Sequence, residues 1–270
     1  MSQTIAKNGI LQKNIWNFDE TSLSTGKQVK VIAEKGANHV TSPKRPKFSV
    51  TMLINICADG SKMPPLYIFQ GSRVSPDLLN GAVPDSMMMT QKNGWIDQNI
   101  FYNYMVKFVN FVDQRRGTRS VNGIDEPEPI LLLGDQHSSR YLSETINYAM
   151  ENKVIIMLAP PNCTKYVQPL DVGVFSPFKK NISEESHKLS IKSTIDRYDL
   201  AKITNAPFQK ITKDIILSSF KATGIFPTDI TVVDKKIKKE KKTYEEDRKT
   251  KFTTIVNSLQ RFSYSQSQRT

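Results

Sequence analysis

Two stretches of the chain, ILLL at 130–133 and VIIML at 154–158, contain no polar side chain. They are far shorter than the ~20 apolar residues a membrane-spanning helix needs. Nor do they alternate as a half-solvated strand would. Such short runs fit strands buried on both faces, which requires covering layers on each side. Between them, SETINYAMEN at 143–152 reads as a helix. After the second run, Pro160-Pro161 break the chain, and a further helix is expected from about Pro169–Asp171 past Lys180.

The segments upstream are of a different kind. FSVTMLINIC at 48–57 is rich in β-branched and apolar residues and ends in the turn Ala58-Asp59-Gly60. Leu66–Phe69 continues the sheet after Pro64-Pro65, and shorter strand signals lie at Asn14–Phe18 and Gln28–Ala33. Asp97 is positioned to cap a helix. Its apolar residues Ile100, Phe101, Tyr104, Met105, Phe108, Val109 and Val112 have helical spacing. At that spacing the aromatic residues belong to a core, and Trp95 is expected to pack at the helix entrance. Thr118–Pro129 reads as a polar loop. Strands come first, and then helix and strand alternate. The fold class is therefore α/β, a mixed sheet flanked by helices.

The C-terminal part differs. Lys213–Thr223 has helical spacing, Gly224 fits the stop, and Pro227 follows. Three regions are expected: an α/β domain at 1–190, a helical extension at 191–230 and a basic, flexible tail at 231–270. That tail has eleven Lys/Arg against five Asp/Glu, half the net charge of +12. KKIKKEKK at 235–242 suits a nuclear import signal, a phosphate-contacting tail or a solvated charged face. The strong positive charge favours a polyanionic partner. Only two cysteines, Cys57 and Cys163, are present, so no disulfide framework is readable and a reducing compartment is expected. The first residues lack the apolar core of a signal peptide, and the chain is expected to be soluble, with no membrane partner.

Three aspartates share one context. Asp19 follows the strand signal NIWNF, Asp135 follows ILLL by way of Gly134, and Asp171 opens a helix. Strand ends in an α/β sheet border the crevice where ligands bind. Carboxylates gathered there repel one another unless a divalent cation joins them, and Mg²⁺ prefers such oxygen ligands. An Asp at a strand end also serves as a turn residue or helix cap, so spacing alone leaves both readings open. His137, beside Ser138 and Ser139, raises a Ser-His-Asp hydrolase as a further idea, but no G-x-S-x-G elbow is present.

Several blocks, in order, resemble the pogo/Tigger/jerky group of DDE transposases: NFDETSL at 17–23, KQVKVIAEKGANHV at 27–40, VTMLINICADGSKMPPLYIFQG at 50–71, ILLLGDQHSSR at 130–140, LAPPNCTKYVQPLDVGVFSPFKK at 158–180 and SSFKATGIFPTDI at 218–230. The resemblance implies an RNase H-like fold in which Asp19, Asp135 and Asp171 are both the catalytic and the metal-binding acids. They would hold two Mg²⁺ or Mn²⁺ ions for DNA cleavage and strand transfer. Their carboxyl groups are then expected to converge to about 4–7 Å of one another. Gln168 and Pro169 would fix the loop presenting Asp171. His137 would touch substrate phosphate or orient an acid, and Lys179 and Lys180 would contact the DNA backbone.

The resemblance further implies a nuclear location, and either a homo-oligomer or a separate DNA-binding subunit. Relatives carry helix-turn-helix domains ahead of this core, whereas this sequence starts almost at the first block. It also departs from the family pattern at Gly134, Gln136 and Arg140, the last standing where a His is usual. Two readings follow: a DDE endonuclease, or a catalytically impaired or domesticated nuclear DNA-binding protein that keeps the fold.

Overall fold

The computed structural model describes residues 1–24, 48–73, 75–243 and 245–246. The strand signal at Gln28–Ala33 and the block at 27–40 lie outside these. In chain order the main elements are α1 (Ser2–Asn8), β1 (Ile15–Ser24), β2 (Ser49–Cys57), β3 (Lys62–Gln70), β4 (Met87–Gln91), α2 (Gln98–Asp113), β5 (Thr118–Val121), β6 (Ile124–Pro127), β7 (Ile130–Gly134), α3 (Ser143–Glu151), β8 (Val154–Leu158), α4 (Thr164–Val167), α5 (Phe175–Lys192), α6 (Asp199–Gln209) and α7 (Lys213–Thr223). A single wide π-helical turn, Leu170–Val174, leads into α5.

Six strands form one mixed sheet in the order β4-β3-β2-β1-β7-β8. The antiparallel meander β1-β2-β3 makes up one part, and β7 and β8 join β1 in parallel. The apolar run at 130–133 lies between two strands and is buried on both faces, as its composition requires. Both faces of the sheet are covered. Trp16, Phe18, Leu66 and Leu132 pack with Phe101, Tyr104 and Phe108 of α2. Ile15, Ile54, Leu131 and Leu133 pack with Leu170, Phe178 of α5, Ala201 of α6 and Phe220 of α7. Asp97 caps α2, accepting a hydrogen bond from the Ile100 N–H at 2.8 Å. The α2 aromatics are core residues, as their spacing predicts.

Three sequence expectations are corrected. First, residues 118–127 form a hairpin rather than a loop. Asn122 and Gly123 both have positive φ, 52° and 78°, and join β5 to β6 as a two-residue turn. The Asn-Gly pair was itself the signal for that turn. Second, Trp95 is 61% exposed, and Ile96 is the residue packed at the entrance of α2. Third, β1 extends well beyond the strand signal at Asn14–Phe18. It is a ten-residue strand inside the sheet that continues to Ser24.

Residues Met1–Thr228 form one compact unit, within which α6 packs on α5 and α7 on the wide turn. Asp229–Thr270 form a second unit, of which residues 231–243 are helical.

Candidate active site

Asp19 lies within β1, not at its end, and pairs with Ile54 of β2. On its other side β7 is shorter. The parallel pairing of β1 with β7 ends at Asn17 and Leu133, and Asp19 and Asp135 each follow two residues later. The register therefore brings Asp19 level with the point where the chain leaves β7 at Asp135. Alternation along β1 assigns the neighbours to opposite faces. Asn17 and Asp19 face the α5 side with Ile15, while Phe18 and Glu20 face the α2 side with Trp16.

Asn17, which the sequence reading did not single out, ties three elements together. Its side-chain nitrogen donates to the Leu133 carbonyl at 3.1 Å, and its oxygen accepts from the Leu170 N–H at 3.0 Å. The turn carrying Asp171 is thus fastened to β1 two residues before Asp19. The turn is also seated tightly on α7: a Cβ on Gly173 would lie 2.7 Å from the Ser219 Cβ. Widened turns of this kind are frequent at functional sites.

The acids influence one another: the charges of Asp171 and Asp135 act on Asp19, and that of Asp135 acts on Asp171. Asp19 is buried and accepts the Glu20 N–H at 2.7 Å. Its pKa is pushed up to about 8, first by burial and then by the charge of Asp171, with Asp135 adding to the effect. Asp171 is also raised, chiefly by burial and in part by Asp135; the Thr164 hydroxyl and the Lys179 charge act against this. Among the described residues, no three Asp, Glu, His or Cys side chains are gathered closely enough to hold a metal ion. The acids share a field, but they do not form the tight trio expected from the resemblance.

One of the three, Asp135, is paired with Arg140. The arginine side chain is 0% exposed, and its Nη2 donates to Glu20 Oε1 at 2.6 Å and to Asp135 Oδ1 at 2.9 Å. Nη1 donates to Ser139 Oγ at 2.6 Å. The guanidinium lies over the rings of Phe18 and Phe101, 5.0 and 4.6 Å from their centroids. Neither Glu20 nor the pairing role of Arg140 was legible in the sequence, where Arg140 registered only as a departure from a pattern. Gly134 is explained by the same ring. A Cβ there would lie 2.3 Å from Phe18 atoms, so only glycine lets β7 pass.

The remaining candidates are placed as follows. His137 is exposed, and its Nδ1 accepts from the Ser139 N–H at 3.3 Å and meets Ser139 Oγ at 2.9 Å, capping the turn at Ser138–Tyr141. Gln136 is exposed. Lys179 is exposed two helical turns after Asp171, with its ammonium 5.3 Å from the Phe175 ring centroid. Lys180 is exposed at the next position. Gln168 is buried, and its side-chain amide acts to lower the pKa of Asp19.

A divalent cation fits the chemistry of Asp19 and Asp171. The donors are all oxygens, which suits Mg²⁺ or Mn²⁺. Burial and the neighbouring aspartates raise both carboxyls, and the Lys179 charge offsets this only in part at Asp171.

Comparison with known proteins places this arrangement in a family. Residues 47–213 match the family described as DDE superfamily endonuclease, which covers Asp135 and Asp171 and stops short of Asp19. The chain is 27% identical over 241 residues to a Cochliobolus lunatus protein named MFS-type transporter clz9, covering 86% of this chain and 25% of that protein. It is 23% identical over 175 residues to the Mus musculus pogo transposable element with KRAB domain, covering 62% of this chain and 26% of that protein. The chain thus spans about a quarter of the length of these relatives. No helix among the described residues is long and apolar enough to cross a membrane.

Solved structures with a similar course of the chain include the Mos1 mariner paired end complex with Mn (TM-score 0.49, 11% identity, 82% of this chain and 56% of that one). The Mos1 transposase catalytic domain with Raltegravir and Mg is another (TM-score 0.44, 9% identity, 82% and 83%). The family match extends over more than half of the sequence and includes the strand, the turn and the helix that carry two of the three acids, and the chain belongs to the DDE superfamily endonucleases.

Proposed function

We propose that this chain is a transposase-derived nuclease core that cleaves DNA phosphodiester bonds and transfers strands, with Asp19, Asp135 and Asp171 as its divalent-metal ligands. One observation carries the reading. Asp19 and Asp171, from separate parts of the sequence, are both raised, each in part by the charge of Asp135, in a chain of the DDE endonuclease family. Bound Mg²⁺ or Mn²⁺ would activate a water or 3′-hydroxyl for attack and stabilise the departing oxygen.

The protein's own residues prepare that chemistry. Asp19 is held rigidly by the strand and by the Glu20 N–H. Asp171 is held by the turn that Asn17 fastens. Lys179 and Lys180 lie exposed on α5 and bind the DNA backbone without reading its sequence. His137, with Nδ1 committed to Ser139, leaves its other ring edge for a phosphate. The setting is nuclear DNA, and the partners are a second copy of the chain or a separate DNA-binding subunit.

A second reading, a DNA-binding protein with impaired chemistry, is favoured by one specific feature: Arg140 is salt-bridged to Asp135. Nicking of supercoiled plasmid with Mg²⁺ or Mn²⁺, run beside Asp171→Ala, separates the two. Metal-dependent nicking that vanishes in the variant supports the endonuclease. Salt-sensitive DNA binding with no nicking by either protein supports the binder and sinks the enzyme.

A further inference from the structure

We propose that the free edge of β8 is a self-association surface, on which a second copy of this chain adds its own β8 antiparallel, with a two-fold axis beside Met157. The inference chooses the second copy from the partners named above and does not depend on the chemistry of the acids.

β8 is the last strand of its sheet, and among the described residues no strand pairs with its other side. The Ile130 N–H donates to the Lys153 carbonyl at 3.0 Å, and the Ala159 N–H donates to the Gly134 carbonyl at 2.8 Å. Positions 153 and 159 therefore turn their backbone groups towards β7. In a parallel ladder every second residue does so, which leaves Val154, Ile156 and Leu158 with N–H and C=O turned outward. Val154 is buried, whereas Ile156 and Leu158 are partly exposed. The partner that matches such a row of donors and acceptors is another strand.

Proteins guard an edge of this kind with lysine, proline or a bulge. β8 has none of these: VIIML carries no charge, and its register on β7 is unbroken. The apolar surface continues onto α3, which packs on β8. Thr145 and Ala149 are buried beneath that helix, and Tyr148 faces α2, its ring centroid 5.8 Å from that of Tyr102. Helical geometry puts Ile146 and Met150 on the opposite flank, away from α2 and towards the β8 edge. They are 39% and 67% exposed.

The pattern is complementary to itself. Antiparallel pairing of Ile156 with the partner subunit's Leu158, and of Leu158 with the partner subunit's Ile156, exchanges two backbone hydrogen bonds at each pair and centres the contact on Met157. A two-fold axis normal to the sheet keeps each covering layer on its own side. Ile146 and Met150 then meet their own counterparts, and the contact closes at two copies.

The test is sedimentation equilibrium of the full chain without DNA, with circular dichroism confirming that each variant is folded. A reversible monomer–dimer equilibrium is expected. Met150→Glu puts a charge on the apolar flank, and Leu158→Pro removes an outward N–H while leaving the β7 ladder intact. Each should raise the dimer dissociation constant about tenfold or more. Trp95→Glu, next to β4 at the other edge of the sheet, should leave it unchanged. In a Cys163→Ser background, Met157→Cys should form a disulfide-linked dimer on oxidation, because residues facing each other across the axis approach closely. A chain that stays monomeric at its highest soluble concentration overturns the inference. So does a dimer that folded Met150→Glu leaves intact, a dimer that Met157→Cys does not cross-link, or growth beyond two copies, which would mean β8 adding to β4 head to tail. If Leu158→Pro does not fold, Met150→Glu and the cross-link decide the matter.

Discussion

Replacing Asp19 by Asn is expected to stabilise the metal-free protein above neutral pH, although Asp19 is the most buried of the candidate acids. Its carboxyl is raised from 3.8 to about 8 by burial and by the neighbouring aspartates. A group whose folded pKa lies above its unfolded value binds more protons in the native state. Its contribution to stability is fully present below about pH 4 and declines as pH rises towards about 8. At about 1.4 kcal/mol per pKa unit, the upper limit of that loss is about 5–6 kcal/mol. Relaxation and water penetration around the solvent-facing Asp171 reduce it, and about 2–3 kcal/mol at pH 8 is expected.

Asn keeps the oxygen that accepts the Glu20 N–H and removes the charge. For a unit of this size, a gain of 2–3 kcal/mol corresponds to a rise in melting temperature of roughly 5–10 °C. The assay is thermal unfolding of both proteins from pH 4 to pH 8.5 with chelator present. The parent curve should fall across this range, the Asp19→Asn curve should be flatter, and the two should meet near pH 4. Added Mn²⁺ should raise the parent at pH 8 and leave the variant almost unchanged, because a ligand stabilises only the form that binds it. Parallel pH curves, or a variant less stable than the parent at pH 8, would refute the argument that Asp19 is destabilised by its surroundings.

Other outcomes follow from single contacts. Gly134→Ala forces a methyl group to within 2.3 Å of the Phe18 ring and should cost about 1–3 kcal/mol in urea unfolding; an unchanged midpoint would show that the ring moves freely. Asn17→Ala strips the partners from the Leu170 N–H and the Leu133 carbonyl and should cost about 1–3 kcal/mol. It should also lower nicking at temperatures where the variant remains folded, and full activity there would mean that the Asp171 turn does not need this tether. The double change Lys179→Ala and Lys180→Ala should weaken binding to unrelated DNA sequences equally and reduce the salt slope of log K by about 1.8. A slope that does not change, measured by fluorescence anisotropy, would remove both residues from the DNA surface.

Much of the architecture was legible in local sequence because its causes are local. The unbroken apolar runs at 130–133 and 154–158 need cover on both faces, and the seven apolar positions of α2 follow helical spacing. Asp97 and Gly224 act as helix caps, a role that residue type and position predict. The Asn122-Gly123 turn is equally local, but its flanking residues are polar and its strands short, so hydrophobic patterning does not mark them. Trp95 misled for the opposite reason: a large apolar side chain next to a helix start suggests packing, but Ile96 already fills that place.

The linear order of residues was enough to determine an α/β chain, the helices and buried strands, and Asp135 and Asp171 at the joints of those elements, whereas Asp19 lies inside β1. Tertiary structure alone decided how those acids meet. The β1–β7 register sets Asp19 level with Asp135, and strand alternation turns Asp19 towards Asp171 and Glu20 towards Arg140. It also decided that Arg140 would be buried between two aromatic rings and paired with two carboxylates. Periodicity and capping act over a few neighbouring residues and leave a pattern in the sequence. Register and ion pairing are chosen among distant partners, by which side chains fit and which charges must be neutralised once water is excluded.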